Sequence, residues 1–514
     1  MRIGPTYRHP DAAGYRAPGG AWDVPPLDEV LSVPVTSGPA VVDGASRLNA
    51  ATFASLSDAV AGGLRRLGVR RGDVVAWQLP NWWEAMVLFR ACWRAGAVAA
   101  PFHHQFGTAE VARLVEVVEP KVQLAGPGLP LAEADGVIGV RQGDGRFDEL
   151  LAAPGLGHNA GRPTDLAVVI FTTGSTGEPK AALHTQRGLA YKALGVRQAH
   201  GLGADDAVLM PSPLAHVSGL LSAVLVPGAA GMRAVLMEKW DPEAGLRLVA
   251  GERVSYMIGP PTIFTAMMAT PGYREQVDSL RVVSCGSMGV TPEFVAEATE
   301  ALGAFVKRTY GSTEAPTVTT CPHDDDRAKA AVTDGRSFGE AVVRIVDPQT
   351  GRTERAGHTG EVWLRGPELF CGYVEAEQTK ASVHRGWFRT GDLGSLDEDG
   401  WLTIGGRIKE LIIRAGENIA SAEVERVLET HPAVRQAVVV GRPDERLGER
   451  VVAFVVADPV LSLDECRRWC AERGMARFKT PELVVNVDEI PALGIGKPDR
   501  AALRARAAAS VLPV

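Results

Sequence analysis

Short apolar runs that break at Gly, Pro or Ser and pass into helix-compatible stretches recur along the N-terminal part of this chain. This alternation most restricts what the chain can fold into. Arg71-Gly72-Asp73 leads into Val74-Val75-Ala76-Trp77-Gln78-Leu79, a helical pattern runs from Trp82 to Ala95, and Val98-Ala99-Ala100-Pro101 follows. Strand, helix, strand is the parallel α/β unit. The alternation returns at Leu166 to Thr172, Ala207 to Met210, Val254 to Ile258 and Leu280 to Ser284. Ahead of them, Phe53, Leu56, Val60, Leu64 and Leu67 recur at the period of one helix face, predicting a helix over 50–70. Strands covered by helices on both faces read as such continuous apolar runs, so a large α/β domain with parallel sheets is expected.

The pattern changes from Gly339 to Leu364, where Ala341 to Val346 and Glu361 to Leu364 flank the turn Asp347-Pro348-Gln349-Thr350-Gly351, as in an antiparallel subdomain. It shifts again after Gly405-Gly406. Arg407 to Arg414 reads as a hairpin, Ser421 to Glu429 as a helix, and Val434 to Val440 and Val451 to Val456 as strands of a small α+β domain. The expected division is 1–406 and 407–514. A chain of 514 residues exceeds one ordinary core, at about 100 to 200 residues per domain. Its 46% hydrophobic and 22% charged content excludes extended disorder. With 54 basic against 61 acidic residues and no long run of one sign, a nucleic-acid or anionic-membrane surface is not the main partner.

Six cysteines without paired spacing, and a Pro-rich start holding neither a signal peptide nor a transit helix, point to a reducing cytoplasm. The longest apolar stretch, Leu214 to Met232, is interrupted by His216, Gly219, Pro227, Gly228 and Gly231 and reads as core, not as a membrane span.

The chemistry concentrates first in Thr172-Thr173-Gly174-Ser175-Thr176-Gly177-Glu178-Pro179-Lys180, directly after the apolar run Leu166 to Phe171. Glycines at a strand end let backbone N–H groups approach an anion, and hydroxyls with one Lys add donors, so the loop can cradle a polyphosphate. It is not the Walker form, which places Lys immediately after its second Gly. Glu314, in the turn Tyr310-Gly311-Ser312-Thr313-Glu314, offers a hard oxygen ligand. Gly155 to Ala160 fits a loose dinucleotide fingerprint but lacks a preceding strand, and Cys466 with Cys470 lacks a second ligand pair for zinc.

Taken together with Pro213-Leu214-Ala215-His216, Gly360-Glu361, Arg365-Gly366, Arg389-Thr390-Gly391-Asp392, Gly405-Gly406-Arg407-Ile408-Lys409, Gly416-Glu417-Asn418-Ile419 and Gly496-Lys497, these motifs follow one order. In that order the chain resembles the adenylate-forming superfamily of acyl-CoA synthetases, carrier-protein adenylation domains and firefly-type luciferases. The likeness runs over roughly residues 40 to 505 and is closest to stand-alone acyl-CoA synthetases.

The resemblance implies a large N-terminal adenylation domain and a mobile C-terminal domain. It implies that the loop residues Thr172, Thr173, Gly174, Ser175, Thr176, Gly177 and Lys180 hold ATP phosphates, with Thr176 also catalytic. Glu314 would coordinate Mg²⁺, while Tyr310, Gly311 and Thr313 surround the nucleotide. Gly286-Ser287-Met288 would line the adenine, although Met288 departs from the usual small Gly-Ala-Pro-like turn. Asp392 and Arg407 would contact the ribose; the alternative is an Asp–Arg pair.

His216 would lie beside the acyl carboxylate and gate the thiol path. Lys497 would bridge the carboxylate and α-phosphate during adenylation. Lys409 marks the hinge, and Gly416 the passage for pantetheine, where a Cβ would narrow the way. His103-His104 stand where the family often has Asn-Pro.

The implied reaction attacks the α-phosphorus of ATP with a carboxylate, expels pyrophosphate and passes the acyl group to CoA. Charge gathers on phosphoryl oxygens, so the need is for Mg²⁺, cationic side chains and oriented donors. A medium-chain, alicyclic or aromatic acid is expected. No carrier module follows Lys497, so the acceptor is diffusible or a separate carrier protein, and a homodimer is left open. The general motifs address ATP, so a carrier thiol, an amine or nitrite activation for diazotisation of an aryl amine stay open as acceptors. A nucleotide-binding protein without turnover is the reading from another class, against which Lys180, Glu314, Asp392, Arg407 and Lys497 argue together.

Overall fold

The computed structural model describes residues 3–36, 38–143, 145–172, 179–286, 290–415, 417–493 and 497–509. The chain forms two compact units, one of residues 1–286, 292–342 and 364–388, the other of residues 287–291, 343–363 and 389–514.

Two sheets build the first unit. The six-stranded sheet runs in the order Ile138–Gly139, Val122–Ala125, Val74–Gln78, Val98–Phe102, Leu166–Thr172, Lys180–Thr185, parallel except for the last strand. The nine-stranded sheet has a parallel centre in the order Phe305–Tyr310, Val282–Cys285, Tyr256–Gly259, Ala207–Met210, Arg233–Leu236, Val41–Asp43. Strands Val74–Gln78 and Val98–Phe102 are buried along their whole length, which explains their unbroken apolar reading.

Between those two strands runs the helix Trp83–Ala95, ended by Gly96 at φ +70°, a left-handed cap that glycine takes without a Cβ penalty. Trp77, Phe89 and Trp93 stack edge-on and tilted in the core, each worth about 1.5–3 kcal/mol of burial. The helix Ala50–Arg66 starts from the Asn49 cap and turns Phe53, Val60 and Leu64 inward.

The expected α/β class is therefore observed, with element ends displaced where periodicity carries little information. Strands read at Val254 and Leu280 begin at Tyr256 and Val282, and the stretch 214–232 forms broken helical turns, Val217–Gly219, a π-helical Leu220–Leu225 and Val226–Ala230. No helix among the described residues is long and apolar enough to cross a membrane.

In the second unit, strand Leu402–Arg407 pairs antiparallel with residues 392–396, placing Arg407 opposite Asp392. Residues 408–410 make a single 3₁₀ turn, and Leu411–Arg414 then pairs with Glu417–Ala420 in another sheet. The hairpin read over Arg407 to Arg414 is thus corrected: Arg407 closes one sheet and Leu411 opens the next. That second sheet continues through Gly448–Ala457 to Val434–Asp444, with Leu483–Asn486 parallel at its side.

Val strands here alternate faces. Val439, Val451 and Val455 pack with Ile412, Leu428, Cys466 and Cys470, while Val438, Val440, Val452 and Phe454 pack with Leu503. Both cysteines of that pair are buried thiols on the core side of helix Leu463–Glu472.

Candidate active site

Strands Leu166–Thr172 and Lys180–Thr185 are antiparallel neighbours with Thr172 opposite Lys180, so the Gly/Thr/Ser loop leaves and re-enters the sheet at one edge. Thr173, Gly174, Ser175, Thr176 and Gly177 lie outside the described residues. The Lys180 ammonium sits 4.9 Å from the centre of the Tyr373 ring, and the Tyr373 hydroxyl donates to Glu314 Oε1 at 2.6 Å. The Lys180 ammonium and the Glu314 carboxylate are therefore joined through one aromatic side chain. Burial, reinforced by the neighbouring Glu314 carboxylate, pushes the Tyr373 phenol far above its ordinary value, so it remains a donor.

Glu314 itself is buried, at 9% exposure, and its turn is tethered from three sides. His184 Nε2 is 2.8 Å from the Thr313 carbonyl, the Phe370 N–H donates to the Glu314 carbonyl at 2.8 Å, and Lys192 Nζ donates to the Thr317 carbonyl at 3.0 Å. Burial lowers the His184 imidazole to about 4, so it is neutral and places an N–H on Thr313. Lys192 is fully enclosed and faces Glu368 at 3.5 Å, a buried pair whose loss of either member leaves an uncompensated charge. Gly311 is required sterically, because a Cβ there would lie 2.3 Å from the Thr317 nitrogen. Tyr310 ends the preceding strand, half-buried.

These tethers were not legible in the sequence. Tyr373 lies 59 residues from Glu314 and His184 lies 129 from Thr313, and neither belongs to a short motif.

His216 caps the turn Val217–Gly219, and residues 215–218 are partly exposed inside an otherwise buried apolar stretch. Buried Asn81, also unforeseen, fixes this segment. Its Nδ2 donates to the carbonyls of Met210, Ser212 and Met237, and its Oδ1 accepts from Leu214 N–H. Burial, with His104 nearby, lowers His216 to about 4. Gly286 ends strand Val282–Cys285, where a Cβ would meet the Thr309 carbonyl at 2.9 Å; Ser287 and Met288 lie outside the described residues.

In the second unit, Asp392 is almost fully buried and receives Arg407 Nε at 2.9 Å, while Arg407 is half exposed. The Asp392 N–H also donates to Thr390 Oγ1, which donates to the Val362 carbonyl. The two expected ribose ligands thus pair with each other, Asp392 buried and the Arg407 guanidinium reaching solvent. Lys409 occupies the 408–410 turn, its carbonyl accepting from Arg504. Gly416 lies outside the described residues, between Arg414 and Glu417, which pair with each other. Lys497 is described by its backbone, which pairs with Leu493 in the two-stranded ribbon Ala492–Leu493 and Lys497–Pro498.

No group of three or more His, Cys, Asp or Glu among the described residues is arranged to hold a metal. A single buried carboxylate such as that of Glu314 fits a Mg²⁺ that brings most of its oxygen ligands with a nucleotide, the usual habit of that ion.

Residues 35–374 match the family described as AMP-binding enzyme, and residues 423–497 match the AMP-binding enzyme C-terminal domain. The chain belongs to the AMP-binding enzyme family. It is 30% identical over 540 residues to the medium-chain fatty-acid–CoA ligase of Escherichia coli strain K12, covering 98% of this chain and 94% of that protein. It is 34% identical to the indoleacetate–CoA ligase of Aromatoleum aromaticum, covering 88% and 91%.

Among solved structures it is similar to ATP-bound MatB from Rhodopseudomonas palustris, with a TM-score of 0.87 at 28% identity over 94% of this chain and 99% of that one. The chain is thus an adenylate-forming enzyme of the acid–thiol ligase class, as the motif order implied.

Proposed function

We propose that this enzyme activates a carboxylic acid with ATP to an acyl adenylate and transfers the acyl group to CoA, releasing AMP and pyrophosphate. The observation that carries the reading is the Lys180–Tyr373–Glu314 chain at the start of strand Lys180–Thr185. It joins a cation for phosphoryl oxygens to a carboxylate pre-aimed by a phenol, on a turn held by His184, Lys192 and Phe370. Such a site needs little rearrangement when charge develops, which is where electrostatic catalysis gains most.

In this reading Thr172, Thr173, Gly174, Ser175, Thr176, Gly177 and Lys180 hold the phosphates, and Tyr310, Gly311, Thr313, Gly286, Ser287 and Met288 surround the nucleoside. Glu314 would hold Mg²⁺, which when bound neutralises charge on the phosphoryl oxygens. Asp392 and Arg407 contact the ribose. His216 faces the acid, Lys497 serves adenylation, and Gly416 serves the thiol. The functional division is placed at 406/407, where Lys409 sits in a three-residue link between two sheets.

CoA is favoured as acceptor because the curated relatives above are CoA ligases. Their acids, a medium-chain fatty acid and indoleacetate, support a medium-chain or aromatic substrate here. A pyrophosphate-release screen over carboxylic acids, with and without CoA and followed by mass analysis, tests this. Acid-dependent release with acyl-CoA formed only when CoA is present supports the reading. Release with nitrite plus an aryl amine, and with no acid, overturns it.

A further inference from the structure

The pair His103-His104 has no part in the chemistry above, yet the fold sets it against His216. The His103 ring stacks on His104 at 4.7 Å between centroids and meets His216 edge-on at 4.9 Å. Its position is closely fixed. Buried Gln78 donates from Nε2 to the carbonyls of His103 and Phe106, and the Phe106 N–H closes the turn onto the His103 carbonyl.

The Gln105 N–H donates to His103 Nδ1 at 3.0 Å, so that nitrogen carries the lone pair and the proton sits on Nε2. His103 is 6% exposed, and its Nε2 has no hydrogen-bond partner among the described residues. A buried N–H without an acceptor is destabilising and uncommon in a folded protein. Here it sits beside the partly exposed segment 215–218.

We propose that His103 is a specificity-determining residue of the acid site, its Nε2–H donating to an uncharged acceptor oxygen, a carbonyl, ether or hydroxyl, carried on the body of the substrate acid. The inference rests on His216 marking the acid site. Burial, with His216 and His104 adjacent, lowers His103 to about 3, so the ring is a neutral donor and not a cation. His104 is likewise lowered by burial, and the carboxylate acting on it, Glu238, is held by Trp82 Nε1 at 2.8 Å. A second carboxylate on the substrate would meet neutral imidazoles and a negative neighbour. An uncharged oxygen meets a donor otherwise left unpaired, and a site built around such a donor discriminates strongly against analogues lacking the acceptor.

The test compares octanoate with its monoketone positional isomers by pyrophosphate release, in the wild type, in His103→Phe, which keeps an aromatic ring and removes the donor, and in His103→Gln, which restores an N–H. In the wild type at least one ketone isomer should exceed octanoate in kcat/KM by about 5- to 100-fold. His103→Phe should bring that ratio toward one, and His103→Gln should recover part of it. Thermal unfolding and ATP titration confirm that each variant is folded, and the wild-type comparison needs no variant at all. Activation of octanoate with no ketone preference, or a preference that survives His103→Phe, overturns this inference and leaves the proposed function standing. Failure of the wild type to activate any acid of a broad panel overturns both.

Discussion

At the residue scale, Glu314 was legible because its neighbours in sequence are its neighbours in space, whereas Tyr373 was not. The phenol donates to a carboxylate, and a hydrogen bond to a charged group is worth about 1.5–3 kcal/mol. Tyr373→Phe should therefore lower the adenylation rate about 10-fold and raise the Mg²⁺ concentration giving half-maximal rate, with Glu314→Gln the more damaging of the two. An unchanged Mg²⁺ titration in Tyr373→Phe would show that the phenol does not orient the ligand.

His184 makes a separate prediction. Its folded value of about 4 lies below the ordinary 6.5, so the unfolded chain takes up the proton first as pH falls. The stability it contributes is full above pH 6.5 and is lost on the way down to about 4, with a slope of about 1.4 kcal/mol per pH unit for one proton. His184→Gln keeps an N–H for the Thr313 carbonyl without titrating. Urea unfolding between pH 7 and 5 should then show a shallower loss by about that slope, and parallel curves for both proteins would refute the assignment.

At the scale of elements, the parallel strands were readable because burial on both faces makes an unbroken apolar run, as in Val74–Gln78 and Val98–Phe102. The segment 214–232 was less so: its composition says buried, but a π-helical middle section has no distinct sequence period. What gives this segment its path is a side chain over a hundred residues away. Asn81 satisfies three carbonyls and one N–H around Leu214, so Asn81→Ala would strand four polar groups in the core. A loss of about 3 kcal/mol in equilibrium unfolding is expected, together with a raised KM for the acid as His216 loses its anchor. A stability change under about 0.5 kcal/mol would mean that water replaces the amide at no cost.

At the scale of the whole molecule, the residues assigned to the two half-reactions lie on separate parts of the second unit. Gly416 falls in the sequence between Ala415 and Glu417 and lies outside the described residues, while the Lys497 backbone belongs to the short ribbon with Leu493. In the proposed reading, residues 411–514 carry both and can bring only one to the acyl group at a time, and the 408–410 turn, which lies within the second unit, is the short link about which they would rotate. If Lys497 is the donor proposed for adenylation, Lys497→Ala should slow that step by about 10²- to 10³-fold, while thioester formation from supplied acyl adenylate continues. Gly416→Trp should do the reverse, because a bulky side chain there would narrow the proposed pantetheine passage and leave the residues proposed for adenylation whole. Lys409→Pro should favour adenylation over thioester formation by restricting torsions in the link, and circular dichroism of that variant separates a hinge effect from a folding defect. Both half-reactions measured in all three variants decide the matter, since equal losses in the two steps would leave no role for alternation of residues 411–514.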